Sequence, residues 1–527
     1  MGNIYLLDCT LRDGGYINDW NFKESTIRGF SKKIAQTGIE YFELGFLKGD
    51  MYNPDKTVYP DTECMKEIIT PKESNMLYLG MLDMSAPLPK DRIKERSKDS
   101  IDGIRVIFKK NKIEEAYDYC KYIKEKGYIL FVNLVGTDSY SDSEFIETIK
   151  KFNTLKPYGI SIVDSFGLIK RKQFLRLVYL ADNNLDKDIA LCYHAHNNLQ
   201  QAFGNAEALV EMNLKRDVVI DACVFGMGRG AGNLNLELFA EYMNENYDAH
   251  YQIEPMLEIM DEYLNDIYKE KFWGYSVPLY LSAKTGCHPN YAIYLAEKDS
   301  LTVKAFNELL AGIPEGDKAG FSKEKAENYY REYLENYVDD KETLKKLSDE
   351  LNGKTIIVLA PGGSLNEYRQ DILDAGKKED TVLISVNFDG AGFSPDFIFS
   401  SNMKRYINIQ GKTDVRCITT SNMRDVTKTD FVVNYSSCMS KYANIVDNSG
   451  LMLLRLLISL GVKNVEIAGM DGYSDKTGRD YYSKQLEFDF SNKARERNTL
   501  IKNELEEISK HLNIRFITPS AYTSDSD

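Results

Sequence analysis

Two histidines stand two residues apart in Cys192-Tyr-His194-Ala-His196-Asn-Asn, and the whole 527-residue chain holds only five. In an extended chain residues i and i+2 project to the same side, so both imidazoles can face one site, and neutral imidazole is a common ligand for divalent metals. Near the N-terminus Arg12 and Asp13 are followed by Gly14 and Gly15. That set offers a hard oxygen ligand and a fixed cation for a carboxylate or enolate oxygen, on a turn free to aim both. A glycine-rich run, Phe225-Gly-Met-Gly-Arg229-Gly-Ala-Gly-Asn233, supplies backbone amides for an anion and Asn233 as a neutral oxygen ligand. Glu43 ends an apolar run; its carboxylate either orients a ligand or water or serves as an inward structural charge. His288, in Thr285-Gly-Cys-His288-Pro-Asn-Tyr291, is a candidate general acid/base because imidazole titrates near neutral pH. Its alternative role is that of a helix-start loop residue, and Tyr291 is a weaker understudy.

These residues need elements to bring them together. From residue 3 to about 240, β-branched apolar runs alternate with amphipathic stretches such as Glu24–Gln36 and Ile113–Lys126, the pattern of parallel βα units. Eight strand candidates emerge: Ile4–Cys9, Tyr41–Phe46, Leu77–Leu82, Gly103–Phe108, Ile129–Val135, Ile160–Asp164, Ile189–His194 and Val218–Phe225. Their number and span predict a (β/α)8 barrel over residues 1–240, in which function collects at the carboxyl ends of the strands; an open doubly wound sheet is the alternative. Asp13, His194, His196 and Asn233 all follow such ends. Residues 241–350 read as a helical extension and linker, with helical stretches at Asn235–Tyr268 and Ser300–Leu351. Residues 351–527 read as a Rossmann-like α/β domain. Its strands are predicted at Thr355–Leu359, Val382–Asn387, Phe397–Ser400, Arg416–Thr419, Phe431–Asn434, Val465–Ala468 and Arg515–Thr518. Helices are expected at Leu451–Leu460 and Lys493–His511, and the polar tail Ser520–Asp527 is expected to fray.

Composition bounds the function. Lys+Arg 66 against Asp+Glu 80 gives a net charge of −14, which supplies no global basic field for nucleic acid or anionic lipid. Locally, Arg12, a dication and Arg229 would instead favour a small anionic substrate. Charged residues within the first fifteen positions break any secretory apolar region, and the run Leu451–Leu460 is too short to cross a bilayer. The eight cysteines (9, 64, 120, 192, 223, 287, 417, 438) form no CxxC pair, so reduced thiols and a cytoplasmic location are expected.

Arg12-Asp13-Gly14, Asp164-Ser-Phe-Gly167, His194-Ala-His196 and Gly228-Arg-Gly-Ala-Gly-Asn233, in this order and spacing, resemble the DRE-TIM metallolyases. That superfamily includes hydroxymethylglutaryl-CoA lyase, isopropylmalate synthase and 4-hydroxy-2-oxovalerate aldolase, and the resemblance covers about residues 3–300. It implies that Asp13, His194 and His196, with Asn233 as a fourth candidate, hold a divalent cation, Mn²⁺ or Mg²⁺ foremost. It further implies that Arg12 steadies an enolate oxygen in metal-dependent aldolase or lyase chemistry on a 2-oxo acid and an aldehyde. A histidine expected shortly after the Arg-Asp pair in the aldolases is replaced here by Gly14-Gly15-Tyr16, and His288 is the candidate replacement. A Claisen-type synthase using an acyl-CoA is the alternative within the superfamily.

Ala360-Pro-Gly362-Gly363-Ser364-Leu, directly after a strand, supplies backbone amides and a hydroxyl at a helix start, an arrangement suited to a phosphate. Together with Ser449-Gly450 before an apolar helix and Gly469-Met-Asp471-Gly-Tyr473, this loop resembles those of bacterial CMP-sialic-acid-dependent sialyltransferases and pterin-pyrophosphokinase-like proteins. The resemblance implies a nucleotide or nucleotide-sugar site formed by Gly362, Gly363, Ser364, Ser449, Gly450 and Asp471. The alternative from another class is a glycosyltransferase or nucleotide-binding module beside a non-catalytic barrel. A homo-oligomer is left open.

Overall fold

Every strand candidate of the first 240 residues forms a strand: β1 (Ile4–Asp8), β2 (Tyr41–Leu47), β3 (Leu77–Asp83), β4 (Gly103–Phe108), β5 (Ile129–Leu134), β6 (Gly159–Asp164), β7 (Ala190–Ala195) and β8 (Val218–Ala222). In this computed structural model residues 2–69, 72–73, 75–298, 300–390, 392–424, 426, 429–475, 480–483, 486 and 490–523 are described. All eight strands pair in parallel with their sequence neighbours, and β1 pairs with both β8 and β2, which closes the barrel. A two-residue strand, Val58–Tyr59, joins beside β2; it was not foreseen, being too short to carry a periodic signal. It fits because β2 bulges between Glu43 and Phe46. A Cβ on Gly45 would lie 2.1 Å from the carbonyl oxygen of Thr57, so only glycine lets the two backbones approach this closely.

Period-two alternation sorts the barrel's interior into layers. Leu7, Tyr41, Leu79, Phe131, Cys192 and Val219 fill an apolar layer near the amino ends. Two residues further along the same inward faces come Glu43, His194 and Asp221, joined by Arg105 of β4, all buried. One chain periodicity thus builds a dry floor beneath a charged upper layer.

The chain divides into two compact units, residues 1–293 and 294–527. The long helical stretch expected over Asn235–Tyr268 is interrupted. Its helices are Leu236–Tyr247, Glu254–Ile259 and Asn265–Glu270, with a π-helical segment Met260–Leu264 between the last two. The first break falls where Asp248 turns left-handed at φ 53° and Pro255 opens the next helix, a residue that fits the first turn and not an interior. The helices of residues 303–351 belong to the second unit, where Asn336 donates to Ser421 O and Asp340 accepts from the Asn434 N–H.

The second unit is built on a seven-stranded parallel sheet: β9 (Thr355–Leu359), β10 (Thr381–Val386), β11 (Phe397–Ser400), β12 (Arg416–Thr420), β13 (Phe431–Val433), β14 (Asn464–Ala468) and β15 (Asn513–Phe516). The order is β13-β12-β11-β10-β9-β14-β15. The chain therefore runs outward from β9 on one side and then returns to its other side at β14. The crevice between the carboxyl ends of β9 and β14 is the topological switch point, the place where open α/β sheets bind ligands. The apolar run expected to be helical forms Ser449–Ser459, with the Asn448 side chain capping it by accepting the Leu451 N–H at 3.1 Å. No described helix is long and apolar enough to cross a membrane.

The tail does not fray at its start. Ser520 Oγ donates to Met470 O at 2.6 Å, Tyr522 OH donates to Asn498 at 3.0 Å, and Tyr522 is buried. An aromatic ring that removes its area from water outweighs the entropy of ordering a short polar segment. The rest of that expectation, residues 524–527, lies outside the described residues.

Candidate metal centre at the barrel mouth

Four strand ends converge on one buried group. Asp13 follows β1, Glu43 lies within β2, His194 closes β7 with His196 just beyond it, and Asn233 lies in the loop after β8. His194 Nε2 is 3.3 Å and His196 Nε2 3.9 Å from the same oxygen, Asp13 Oδ2. The two imidazole rings are 5.3 Å apart and nearly perpendicular, as expected of side chains on one face of an extended segment. Asp13, His194 and His196 each bring one ligand atom within 4.8 Å of the others, and all three are buried.

A ring of charge holds this group. Arg12 donates from Nε to Glu43 at 2.7 Å and from a terminal nitrogen to Asp13. Arg105 is ion-paired with Asp221 and lies 3.4 Å from Glu43. Asp221 in turn meets His194 Nδ1 at 3.0 Å. The second carboxylate oxygen of Asp13 accepts the Arg229 backbone N–H at 3.3 Å. Gly228 beside it is obligatory: a Cβ there would meet Asn233 Nδ2 at 2.1 Å and Asp13 Oδ1 at 3.0 Å.

The electrostatics follow from this layout. Burial alone would raise the Asp13 carboxyl, but the Arg12 guanidinium beside it, with both histidines, holds it well below the usual carboxylate range. Burial lowers His196 to about 3. His194 goes the other way: burial pulls it down, and hydrogen bonds to Asp13 and Asp221 raise it above an ordinary imidazole. The reason is a deficit. Three buried carboxylates, Asp13, Glu43 and Asp221, face two guanidiniums, Arg12 and Arg105, so the ring is one positive charge short, and a proton on His194 or a bound cation makes it up.

The donor set fits a divalent metal on two further observations. Oδ1 of Asn233 is buried without a hydrogen-bond partner, and a buried polar atom left so costs about 1–3 kcal/mol. Asn233 Nδ2 is occupied by Met227 O at 3.2 Å, which fixes the amide so that its free oxygen is the one offered. A second group, Cys9 with His194 and Asp221, also lies within ligand range. Burial pushes the Cys9 thiol up, however, and a neighbouring thiol, Cys223, is 3.4 Å away, so Cys9 stays protonated and is the poorer ligand.

Glu43 lies wholly inside the barrel between Arg12 and Arg105; of the two roles open to it, the geometry matches a charge that positions Arg12. His288 packs edge-on against Phe166 at 5.3 Å. Burial, with the charges of Arg229 and Lys109, lowers it to about 3, so the imidazole is neutral at any ordinary pH. Tyr291 is completely buried. Arg105 and Asp221 lie outside the motifs singled out in the sequence. The signal that marks them is a lone charge inside an apolar strand, Gly-Ile-Arg105-Val-Ile-Phe and Val-Val-Ile-Asp221-Ala.

Asp8, beneath the same loop, is buried and accepts both the hydroxyl and the amide of Thr10; burial raises its carboxyl to about 7. A carboxyl raised on folding stabilises the native state least when ionised. Its effect therefore grows unfavourable as pH rises from about 4, the unfolded value, to about 7. Asp8→Asn removes that ionisation, so its stability relative to the parent should rise across this window and level off above it. Urea unfolding of both proteins at pH 5 and pH 8 measures the difference.

Residues 105–261 match the family model described as HMGL-like. That stretch of the barrel is similar to HMGL-like domains. The chain is 24% identical over 276 residues to a 4-hydroxy-2-oxovalerate aldolase of Desulfitobacterium hafniense, a match covering 51% of this chain and 79% of that protein. It is 24% identical over 267 residues to one of Burkholderia pseudomallei, covering 49% and 73%. Among solved structures, the N-terminal domain of a putative aldolase from Bacteroides vulgatus aligns at 22% identity and TM-score 0.47, over 55% of this chain and 96% of that one. A Brucella melitensis HMG-CoA lyase aligns at 13% identity and TM-score 0.39, over 49% and 96%. The HMGL-like match begins at Arg105 and takes in His194, His196, Asp221 and Asn233. Arg12, Asp13 and Glu43 come from the preceding strands of the same barrel.

The second unit has its own cleft of about 130 Å³ at the switch point, lined by Pro361 and Gly362 after β9 and by Gly469 to Tyr473 after β14. Ala360 to Leu365 does not open a helix; Gly363–Leu365 is a single 3-10 turn, and the helix starts at Arg369. The Ser364 amide, expected to face a phosphate, donates instead to Asp471 at 2.8 Å, and the Ser364 hydroxyl bonds to the same carboxylate. The Gly362 amide is taken by Gly469 O at 2.9 Å. The adjacent strand end satisfies these donors internally, the Asp471 carboxylate for Ser364 and the Gly469 carbonyl for Gly362. Ser449 is held in a polar cluster, accepting from Asn387 at 2.7 Å and bonded to Ser401, with Gly450 buried beside it. The positive charge of this cleft comes from side chains instead, Arg405 and Arg497, both buried and facing the rings of Tyr481 and Phe490 respectively.

Proposed function

We propose that the barrel is a divalent-metal-dependent aldolase or lyase that makes or breaks a carbon–carbon bond next to a 2-oxo acid. The observation that carries the reading is the convergence of Asp13, His194 and His196 in one buried cluster with Arg12 locked beside it. The similarity to 4-hydroxy-2-oxovalerate aldolases supports it. Asp13, His194 and His196, with Asn233 as a fourth donor, would hold the cation, Mn²⁺ or Mg²⁺ by the mixed oxygen and nitrogen ligation. When bound, such a cation acts as a Lewis acid toward the oxygens of a 2-oxo acid.

The chain's own residues then have definite tasks. Arg12, held by Glu43 and Asp13, presents its guanidinium to a developing enolate oxygen without having to reorganise. In the cleavage direction the C3–C4 bond of a 4-hydroxy-2-oxo acid breaks and its electron pair becomes the pyruvate enolate. The C4 hydroxyl proton passes to a base, for which neutral His288 is the candidate, and an aldehyde leaves. The enolate carbon then takes a proton to give pyruvate. The apolar floor of the barrel keeps bulk water from beneath the site.

The test is direct. Protein reconstituted with Mn²⁺ should exchange the methyl protons of pyruvate with D₂O, followed by proton NMR. Absence of exchange with Mn²⁺, Mg²⁺ and Zn²⁺ alike would sink the reading.

For the second unit the proposal is a nucleotide, or nucleotide-linked sugar, in the switch-point cleft. Its support is the position of that cleft, the buried Arg405 and Arg497, and rings able to stack on a base. CMP or CDP should raise the melting temperature of the full chain through mass-action linkage, and Arg497→Met should remove the shift. No shift with any nucleotide refutes it.

A further inference from the structure

Around the metal-centre candidate runs a second feature that the proposed chemistry leaves unused. Tyr16 and Trp20 meet edge to face at 4.9 Å, Trp20 and Phe46 at 5.6 Å, and Tyr16 and Phe46 at 6.1 Å. The three rings form a ladder across the carboxyl ends of β1 and β2. A cation sits at each end. The Arg229 guanidinium lies 4.3 Å over the ring of Tyr16, and Lys48 Nζ lies 3.5 Å over Trp20 and 4.8 Å over Phe46.

Neither cation has a carboxylate in ion-pair range or donates a side-chain hydrogen bond among the described residues. Carboxylates are not scarce in this chain, which has 80 of them against 66 cations. Arg12 and Arg105, one layer deeper, each hold two. Of the carboxylates acting on Lys48, Asp83 lies beyond ion-pair range and Asp19 is committed to Lys56 at 2.8 Å. A ring face steadies a cation by about 0.5–1 kcal/mol at an exposed site and leaves its N–H donors free. Both cations are also close to the proposed reaction. The Arg229 amide binds Asp13, its charge reaches His288, and Lys48 directly follows the end of β2.

We propose that Arg229 and Lys48 form an anion-reading rim, and that the aldehyde joined to or released from the 2-oxo acid carries a carboxylate or a phosphate at its far end. This assignment of the second substrate rests on the aldolase reading above; the rim as an anion site does not. The shared chemistry is a small oxyanion taking N–H bonds from a guanidinium and an ammonium.

Two measurements test it. Calorimetric titration of the full-length, metal-free protein with succinate and with inorganic phosphate separates the carboxylate source from the phosphate source. At least one should bind, and the double variant R229Q/K48M should weaken it about tenfold or more, the usual scale for hydrogen bonds to a charged group. Equal binding by parent and double variant overturns the rim. Second, pyruvate is offered with acetaldehyde, succinate semialdehyde or glyceraldehyde 3-phosphate, and kcat/KM is compared. The parent should prefer a charged aldehyde, and R229Q should collapse the charged-to-neutral ratio about tenfold or more. A parent that prefers acetaldehyde, or a ratio unmoved by R229Q and K48M, overturns the substrate assignment. Failure of pyruvate proton exchange together with an intact anion-binding difference would instead remove the aldolase reading and leave the rim standing.

Discussion

Replacing His194 with alanine should cost more than about 100-fold in Mn²⁺ affinity and, with it, the exchange of pyruvate protons. The expectation follows from two contacts made by one ring. Nε2 faces Asp13 at 3.3 Å, beside His196, while Nδ1 faces Asp221 at 3.0 Å. A carboxylate that orients a ligating histidine is by itself worth 10–100-fold in metal affinity, so removing the ligand must exceed that. Alanine also leaves Asp13 and Asp221 facing an emptied, buried space. His194→Gln keeps much of the volume and isolates loss of the ligand from collapse of the site. Competition with a chromophoric chelator gives the affinity, and proton NMR in D₂O gives the exchange. An H194A or H194Q protein that holds Mn²⁺ as tightly as the parent would show that this cluster is not the metal centre.

The second large effect is expected beneath it. Arg105→Met should destabilise the fold by about 3–5 kcal/mol, the scale for breaking a buried ion pair from one side, because Asp221 and Glu43 then keep buried charges with one guanidinium fewer. The double variant R105M/D221L removes both members of the shorter pair and leaves Glu43 to Arg12. It should recover part of the loss, with a coupling energy within about 0.5–3 kcal/mol. Its stability and its metal affinity should separate. Without Asp221 the His194 ring loses the partner at Nδ1, so Mn²⁺ binding should stay 10–100-fold weaker even where the fold has recovered. Urea unfolding and chelator competition on the same four proteins measure both. Strict additivity of the two single variants would deny the ring of charge its physical meaning.

The positions of Arg105 and Asp221 show where reading the chain stops. His194 and His196 were legible because strand periodicity projects i and i+2 to one side, and that holds for any extended segment. Arg105 and Asp221 obey the same alternation, yet they come from β4 and β8, 116 residues apart. Only barrel closure makes them neighbours. Glu43 was ambiguous for the same reason: whether an inward carboxylate meets a ligand or a guanidinium depends on which residue faces it from another strand. His288 could be proposed from its chemistry, but its neutral state is set by burial and by Arg229 and Lys109, contacts that no spacing encodes.

The loop Ala360 to Leu365 illustrates the opposite error. Its glycines and serine are correct for a turn after a strand, and the strand is there. Its donors, however, are bound to Asp471 and Gly469 across the switch point, since the adjacent strand end reaches them. The tail fared likewise: Ser520 to Tyr522 looked polar and loose, until the Tyr522 ring found a buried seat.

By itself, then, the sequence determined the strand and helix periodicities, the eight-strand count, the second parallel sheet, and the residue types able to hold a cation at strand ends. Those features are local, because side-chain direction along a strand repeats every two residues whatever the rest of the chain does. Tertiary structure alone decided which charges meet. It made the ring Asp13–Arg12–Glu43–Arg105–Asp221–His194 one positive charge short, and it left Arg229 and Lys48 on aromatic faces with no carboxylate in ion-pair range among the described residues. Electrostatic energy depends on distance through space and on exclusion of water, and closing the barrel sets both.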